Sequence, residues 1–227
     1  MRLGSTTTLG RGVTAASSVS TTERLVFIKK VYSLLALSML TAAVGAYLGS
    51  GPLFLLVAPN MMLFFILQIG LIFFASFAAR KPGLNIIALF SFTTVSGLTL
   101  GPLLARVGPT IAAEAFALTA ITFVCLSLYV VYSKKDFSFM SGFLMTGLIV
   151  LVVGGLLNMF FIQSGMMHFV MSGASVLLFS GFILYDTSNI LRYYGTDEHV
   201  SATLALYLDV LNLFIALLSI LGIMSDD

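Results

Sequence analysis

Seven stretches of the chain are dominated by apolar residues: 25–49, 59–79, 83–105, 110–132, 139–161, 167–193 and 202–223. Each has roughly the 17–25 residues that a helix needs to cross about 30 Å of hydrocarbon, the sixth being somewhat long. The breaks between them carry turn and charge signals. Gly49-Ser50-Gly51-Pro52 ends the first stretch and Arg80-Lys81-Pro82-Gly83 separates the second from the third. Gly108-Pro109 precedes the fourth, Ser133-Lys134-Lys135-Asp136 follows it, and Gly195-Thr196-Asp197-Glu198-His199 divides the last two. Prolines fall at or near the expected helix ends. The apolar run 52–58 is the least defined boundary. The pattern predicts an all-α polytopic membrane protein with seven transmembrane helices over residues 25–227.

Composition agrees. The chain is 59% hydrophobic and 9% charged, where a soluble domain would be about 25% charged. Its mean hydropathy is +1.09. A formal charge of +2 is too small to suggest nucleic acid. The lone Cys125, inside an apolar run, offers neither a disulfide framework nor a thiolate metal site. There is no Trp, so tyrosines must supply the interfacial anchors. Residues 1–24 are polar, rich in Ser and Thr, and carry Arg2, Arg11 and Arg24 against one acid, Glu23. A transit peptide has a similar composition. Gly4, Gly10 and Gly12 would interrupt an amphipathic helix, which favours a flexible cytoplasmic tail. No secretory signal peptide is expected ahead of the first apolar run.

With the N-terminus inside, the inner regions hold Arg2, Arg11, Arg24, Lys29, Lys30, Arg80, Lys81, Lys134, Lys135 and Arg192, and the outer regions hold only Arg106. This follows the positive-inside rule and puts the C-terminus outside. Six tyrosines, at 32, 129, 132, 193, 194 and 207, fall toward the inner side as an aromatic belt would.

Within this frame two acids stand out: Asp186 in the sixth segment and Asp209 in the seventh. A charged carboxylate at the centre of a membrane helix costs roughly 2.5–3.5 kcal/mol on insertion scales. Asn189 and Asn212 each follow three residues later, on the same helical face. The sixth stripe (Ser172, Ser175, Asp186, Asn189, Tyr193) and the seventh (Asp209, Asn212, Ala216, Ser219) are expected to face the bundle interior. Asp186 lies six residues before Arg192, or about 9 Å deep, and Asp209 eight after Ser201, or about 12 Å deep. A short connection would make these helices antiparallel neighbours with the acids at one level. Such a pair should titrate as a unit. Its oxygens suit Ca²⁺ or protons better than soft metals. The plain alternative is a hydrogen bond that merely locks two helices, worth about 0.6 kcal/mol on average.

Other polar residues qualify this picture. Arg80 closes the second segment near the level of the aspartates, where its guanidinium can pair with Asp186 or snorkel to the surface. Glu114, one turn into the fourth segment, is either a helix-terminus acid or the outer station of an ion path, with Arg106 as a partner. His168 reads as an interfacial residue. Gly97 and Gly101 in the third segment, and Gly147, Gly154 and Gly155 in the fifth, permit close helix packing. The eleven methionines are scattered as packing residues.

The loop KKDFSFMSGFLM, the segment SGFILYDTSNILR and the closing LYLDVLNLFIALLSILGIMSDD resemble the Bax inhibitor-one family of seven-span proteins, in its bacterial YccA-like branch. The resemblance covers residues 25–227. It implies a bundle centred on the seventh helix and a pH-sensitive Ca²⁺ leak through a di-aspartyl centre, with Asp186 and Asp209 as the two acids and Arg80 as the nearest match to a latching arginine. Some members carry a further acid midway along the second helix, where this chain has Gln68. The branch also implies a bacterial inner membrane and modulation of the membrane-anchored protease FtsH. The expected function is therefore a cation leak gated by Asp186 and Asp209, without enzymatic activity or a resident cofactor; Ca²⁺ would be the ion bound or passed. The alternative is a regulator of an FtsH-type protease, contacted through the basic tail. An intramembrane aspartyl protease fits less well: Leu206-Tyr207-Leu208 precede Asp209 in place of Gly-x-Gly, and no Pro-Ala-Leu follows. A retinal protein would need a lysine in the seventh helix, and none is there.

Overall fold

The computed structural model describes residues 20–79 and 81–225. Seven helices are long and apolar enough to cross a membrane: α1 Thr21–Ser50, α2 Phe54–Ala78, α3 Leu84–Val107, α4 Pro109–Ser133, α5 Ser138–Ile162, α6 Gly165–Arg192 and α7 His199–Ser225. All seven expected segments are helices. The all-α, seven-span architecture therefore holds, with no strand among the described residues.

Three helix starts differ from expectation by three residues or more, for local reasons. Helix α1 begins at Thr21, so residues 21–24 are helix rather than tail. Ser20 caps it in a capping box: its hydroxyl accepts from the Glu23 N–H at 3.3 Å while the Glu23 carboxylate accepts from the Ser20 N–H at 3.1 Å. Within the run 52–58 the helix starts at Phe54, continuous with the rest of α2. There Pro59 removes a backbone donor, the turn Ala58–Asn60 tightens to 3₁₀ geometry, and the Asn60 amide donates to the Leu56 carbonyl at 2.8 Å. Helix α7 begins at His199, three residues before the expected 202, because the Glu198 carbonyl accepts from the Ala202 N–H at 3.0 Å.

The bundle is built around α7. It packs on α1, α3, α4 and α6, and buries residues over most of its circumference, from Val200 and Thr203 through Tyr207, Asp209 and Leu211 to Leu218, leaving the face of Ser201, Leu208, Asn212 and Ile215 half-buried. By contrast α5 lies at the edge against α6, with Leu144 its one buried residue. The core clusters where α1, α3 and α7 meet, through Phe27, Val31, Leu89, Phe92, Leu206 and Tyr207. Tyr207 is fully buried, so it leaves the expected aromatic belt; Tyr132, 80% exposed, stays in it. The ring of Tyr207 meets Phe92 edge-on, and its hydroxyl pairs with that of Ser96.

The closest helix pair is α1 and α3. Added Cβ atoms at Gly97 and Gly101 of α3 would collide with the backbone at Ala42 and at Gly49 and Ser50 of α1. Gly45 and Gly49 of α1 would likewise strike the backbone at Thr94 and Leu98. The small-residue spacing in α3 is thus answered by one in α1, and two backbones meet where lipid would otherwise give no driving force. The α5 glycines act differently: Gly147 and Gly154 face the side chains of Leu178 and Met171, and Gly155 faces open space. Gly97→Val should therefore destabilise the bundle by about 1–3 kcal/mol, seen as a lowered thermal midpoint in detergent, while Gly155→Ala should leave it unchanged.

Candidate functional site: two acids where α6 meets α7

The end of α6 decides the site. The Asn189 carbonyl accepts from both the Tyr193 N–H at 2.7 Å and the Tyr194 N–H at 3.0 Å, which stops the helix. The chain then turns through Gly195, whose N–H donates to the Glu198 carboxylate at 2.9 Å, and re-enters as α7. The turn is short enough to set the two helices side by side and antiparallel.

Asp186 and Asp209 meet across that pair. They are 9% and 5% exposed. The Asp186 carboxyl lies within reach of the Asp209 carboxyl and of the Asn189 side chain. Asp209 Oδ2 is enclosed with no hydrogen-bond partner from the protein. An enclosed acceptor left unmet costs about 1–3 kcal/mol, and more if charged. Asp209 is therefore stabilised by whatever reaches that oxygen: a proton, a cation or a mobile donor. Tyr194 borders the same place. Its hydroxyl is pushed above its ordinary range by burial first, then by the negative charge of Asp186, Glu198 and Asp209.

The two expected polar faces differ in outcome. Asn189 stands beside Asp186, but the Asn212 amide is spent within α7 on the Leu208 carbonyl at 2.8 Å. Ser172 and Ser175 likewise donate to their own helix, to His168 and Met171 carbonyls at 2.9 and 2.8 Å. Glu114 and Arg106 are exposed, with no ion pair joining them, and His168 is exposed too. Arg80 lies outside the described residues, as do residues 1–19. Among the described residues no group of three or more His, Cys, Asp or Glu side chains is assembled for a metal ion.

Two features were not singled out in the sequence. Arg24 donates to the carbonyls of Ile190 at 2.7 Å, Leu191 at 3.2 Å and Tyr194 at 2.5 Å. The available signal was a basic residue in the first turn behind a capping box, a place its own helix dipole disfavours. The α4–α5 connection also grips the end of α6. The Phe137 N–H donates to Ser188 Oγ at 3.1 Å, Arg192 donates to the Lys134 carbonyl, and the Tyr193 hydroxyl donates to Asp136. On the same side a polar cavity of about 570 Å³ is lined by Lys30, Ser76, Asn85, Asp197, Glu198 and His199.

The Asp136 carboxyl is held down at about 2, first by the Tyr193 hydroxyl and then by Ser138. A depressed acid contributes its stabilisation above the ordinary carboxylate value of about 3.9 and loses it only as pH falls through the lowered value. Tyr193→Phe should therefore lower the thermal midpoint by the same small amount from about pH 5 to pH 8. A penalty that changes across that window would contradict this assignment of the clasp.

The chain matches the family described as inhibitor of apoptosis-promoting Bax1 over residues 24–226. It is 44% identical to an uncharacterized protein of Campylobacter jejuni over 88% of this chain and 89% of the relative. It is 37% identical to the modulator of FtsH protease YccA of Escherichia coli over 88% and 91% of the two chains. Similarity extends to a Golgi anti-apoptotic protein of vaccinia virus, 35% identical over 92% and 90%.

Proposed function

Because the chain belongs to the family of inhibitors of apoptosis-promoting Bax1, we propose that this multi-pass membrane protein is a pH-sensitive leak for cations, Ca²⁺ foremost. The carrying observation is the apposition of Asp186 and Asp209 inside an apolar bundle, with one Asp209 oxygen unmet. Two carboxylates in a poorly polarisable setting cannot both ionise cheaply, so proton and cation compete for one place. Deprotonation presents hard oxygens to Ca²⁺; protonation removes them. Two acids and the Asn189 side chain supply fewer than the six to eight oxygens that Ca²⁺ prefers. The ion would keep part of its water, and binding that is incomplete favours passage over capture. The polar cavity lined by Lys30, Asp197, Glu198 and His199 lies on the same side of the bundle and supports entry from there.

Orientation follows from charge. The α1 N-terminus, the α4–α5 connection and the α6–α7 turn lie on one side, with Arg24, Lys29, Lys30, Lys134, Lys135 and Arg192, opposite Arg106. The positive-inside rule makes that side cytoplasmic, in a bacterial inner membrane. Arg80, which follows α2 in the sequence, is the proposed latch for Asp186. Asp209→Asn should flatten the dependence of Ca²⁺ flux on pH in proteoliposomes between about pH 5 and pH 8; an unchanged profile would sink the mechanism.

A second reading rests on the Escherichia coli relative that bears the name of an FtsH modulator. In it the protein binds a membrane-anchored protease and the basic residues 1–19 make the contact. Removing those residues should abolish co-purification with FtsH; intact recovery would refute contact through the tail.

A further inference from the structure

We infer that Lys30 is a selectivity-determining residue at the cytoplasmic mouth of the leak: its ammonium, on the wall of the polar cavity, restrains cation entry by opposing the field of the Asp197 and Glu198 carboxylates that share the cavity. The inference rests on the reading of the protein as a cation leak.

Three parts of the chain build the cavity. The junction of α2 and α3 forms one wall, with Ser76, Ala79 and Asn85. Asn85 is buried and fixes that junction: its amide donates to the Ala79 carbonyl at 3.2 Å, and its oxygen accepts from the Ile86 N–H at 2.8 Å. The α6–α7 turn and the start of α7 form the second wall, with Asp197, Glu198, His199 and Ser201. Helix α1 contributes Lys30. The next residue sets its place. The Val31 carbonyl accepts from Thr203 Oγ1 at 3.3 Å, and Val31 is buried in one cluster with Val200 and Ala202. Lys30 is thus carried by a turn of α1 that is bonded to the start of α7.

The acids of this mouth converge. A Cβ added to Gly195 would meet Asp197 Oδ1 at 2.7 Å and Glu198 Oε2 at 3.4 Å, so both carboxylates fold over one glycine. Like charges gathered at the mouth of a cleft raise the local concentration of the opposite ion and its rate of entry. Charged side chains around a pore also set which ions pass. Lys30 subtracts from that attraction. Lys81 stands at the rim as a further cation, its Nζ 4.0 Å from the ring centroid of Phe77, which also lines the cavity. The positive-inside rule asks for lysines near the cytoplasmic surface, but not for one on a cavity wall. The adjacent Lys29 satisfies that rule without lining the cavity.

The test uses the full chain in proteoliposomes at about pH 8, where an imidazole with the ordinary value of about 6.5 is neutral and His199 adds no charge. Ca²⁺ flux and the Ca²⁺-to-Cl⁻ permeability ratio are read for wild type, K30Q, K30E, K30R and K29Q, each checked for folding by size exclusion. In about 0.1 M choline chloride, K30Q should raise both readings about 2–5-fold and K30E should raise them further. K30R, which keeps the charge, should match wild type. K29Q removes the same charge outside the cavity and should change both readings less than K30Q does. In about 1 M choline chloride the screening length falls from about 10 Å to about 3 Å, so the K30Q excess should disappear. An excess that survives high salt, or that K29Q reproduces in full, overturns the inference. Folded K30Q and K30E proteins with wild-type flux and ratio overturn it alone and leave the leak standing. A wild-type protein that passes no Ca²⁺ overturns the leak and this inference together.

Discussion

Hydrocarbon cannot hydrogen-bond, so each polar group that enters the bilayer must be met from within the protein. The end of α6 shows what this constraint produces. Three neighbouring elements converge on one helix terminus: Arg24 from α1, the Lys134–Phe137 connection from between α4 and α5, and the turn into α7 through Gly195 and Glu198. The first two supply donors or acceptors to the end of α6, and the third is closed on itself by the Gly195–Glu198 hydrogen bond. The result is a well-held end whose last turn presents Asp186 and Asn189 to α7. The satisfaction of backbone groups around the α6 end thus helps to place Asp186 against Asp209.

The other half of the arrangement depends on close packing. Glycine-to-backbone contact between α1 and α3 draws these helices together along Gly45, Gly49, Gly97 and Gly101. That leaves α7 packed against α1, α3, α4 and α6 over most of its surface. Two residues on α7 use the enclosure in opposite directions. Tyr207 and Asp209 are two positions apart, about 200° around a helix of 3.6 residues per turn. Tyr207 turns to Phe92 and Ser96 of α3, and Asp209 to Asp186 of α6. One satisfied and one unsatisfied polar group thus share a turn. The satisfied one anchors the helix, and the other keeps an oxygen that no protein donor meets.

This division bears on both readings of function. A leak needs a carboxylate whose partner can change, and Asp209 Oδ2 meets that need. A regulator needs a way to send a partner's presence into the bundle. Helix α1 begins immediately after the basic N-terminal residues, and its first turn holds Arg24 on α6. The two readings use one piece of structure and need not exclude each other.

The sequence by itself determined seven spans, their ends to within a few residues, the sidedness of charge and the two acids that break the apolar pattern. Those properties follow from transfer free energy and helix length, which act residue by residue. The face of α3 that approaches another helix was legible too, from Gly97 and Gly101. What only the tertiary structure decided is which polar group meets which. Asn189 and Asn212 occupy equivalent places three residues after an acid, yet one stands at the site and the other serves its own backbone. Tyr207 belongs to the core although its position suggested the interface. Arg24 stands where its own helix dipole disfavours it, but nothing local names the Ile190 carbonyl, 166 residues away, that it caps. Such pairings depend on rotation about the helix axis and on neighbours far along the chain, and neither hydropathy nor spacing encodes them.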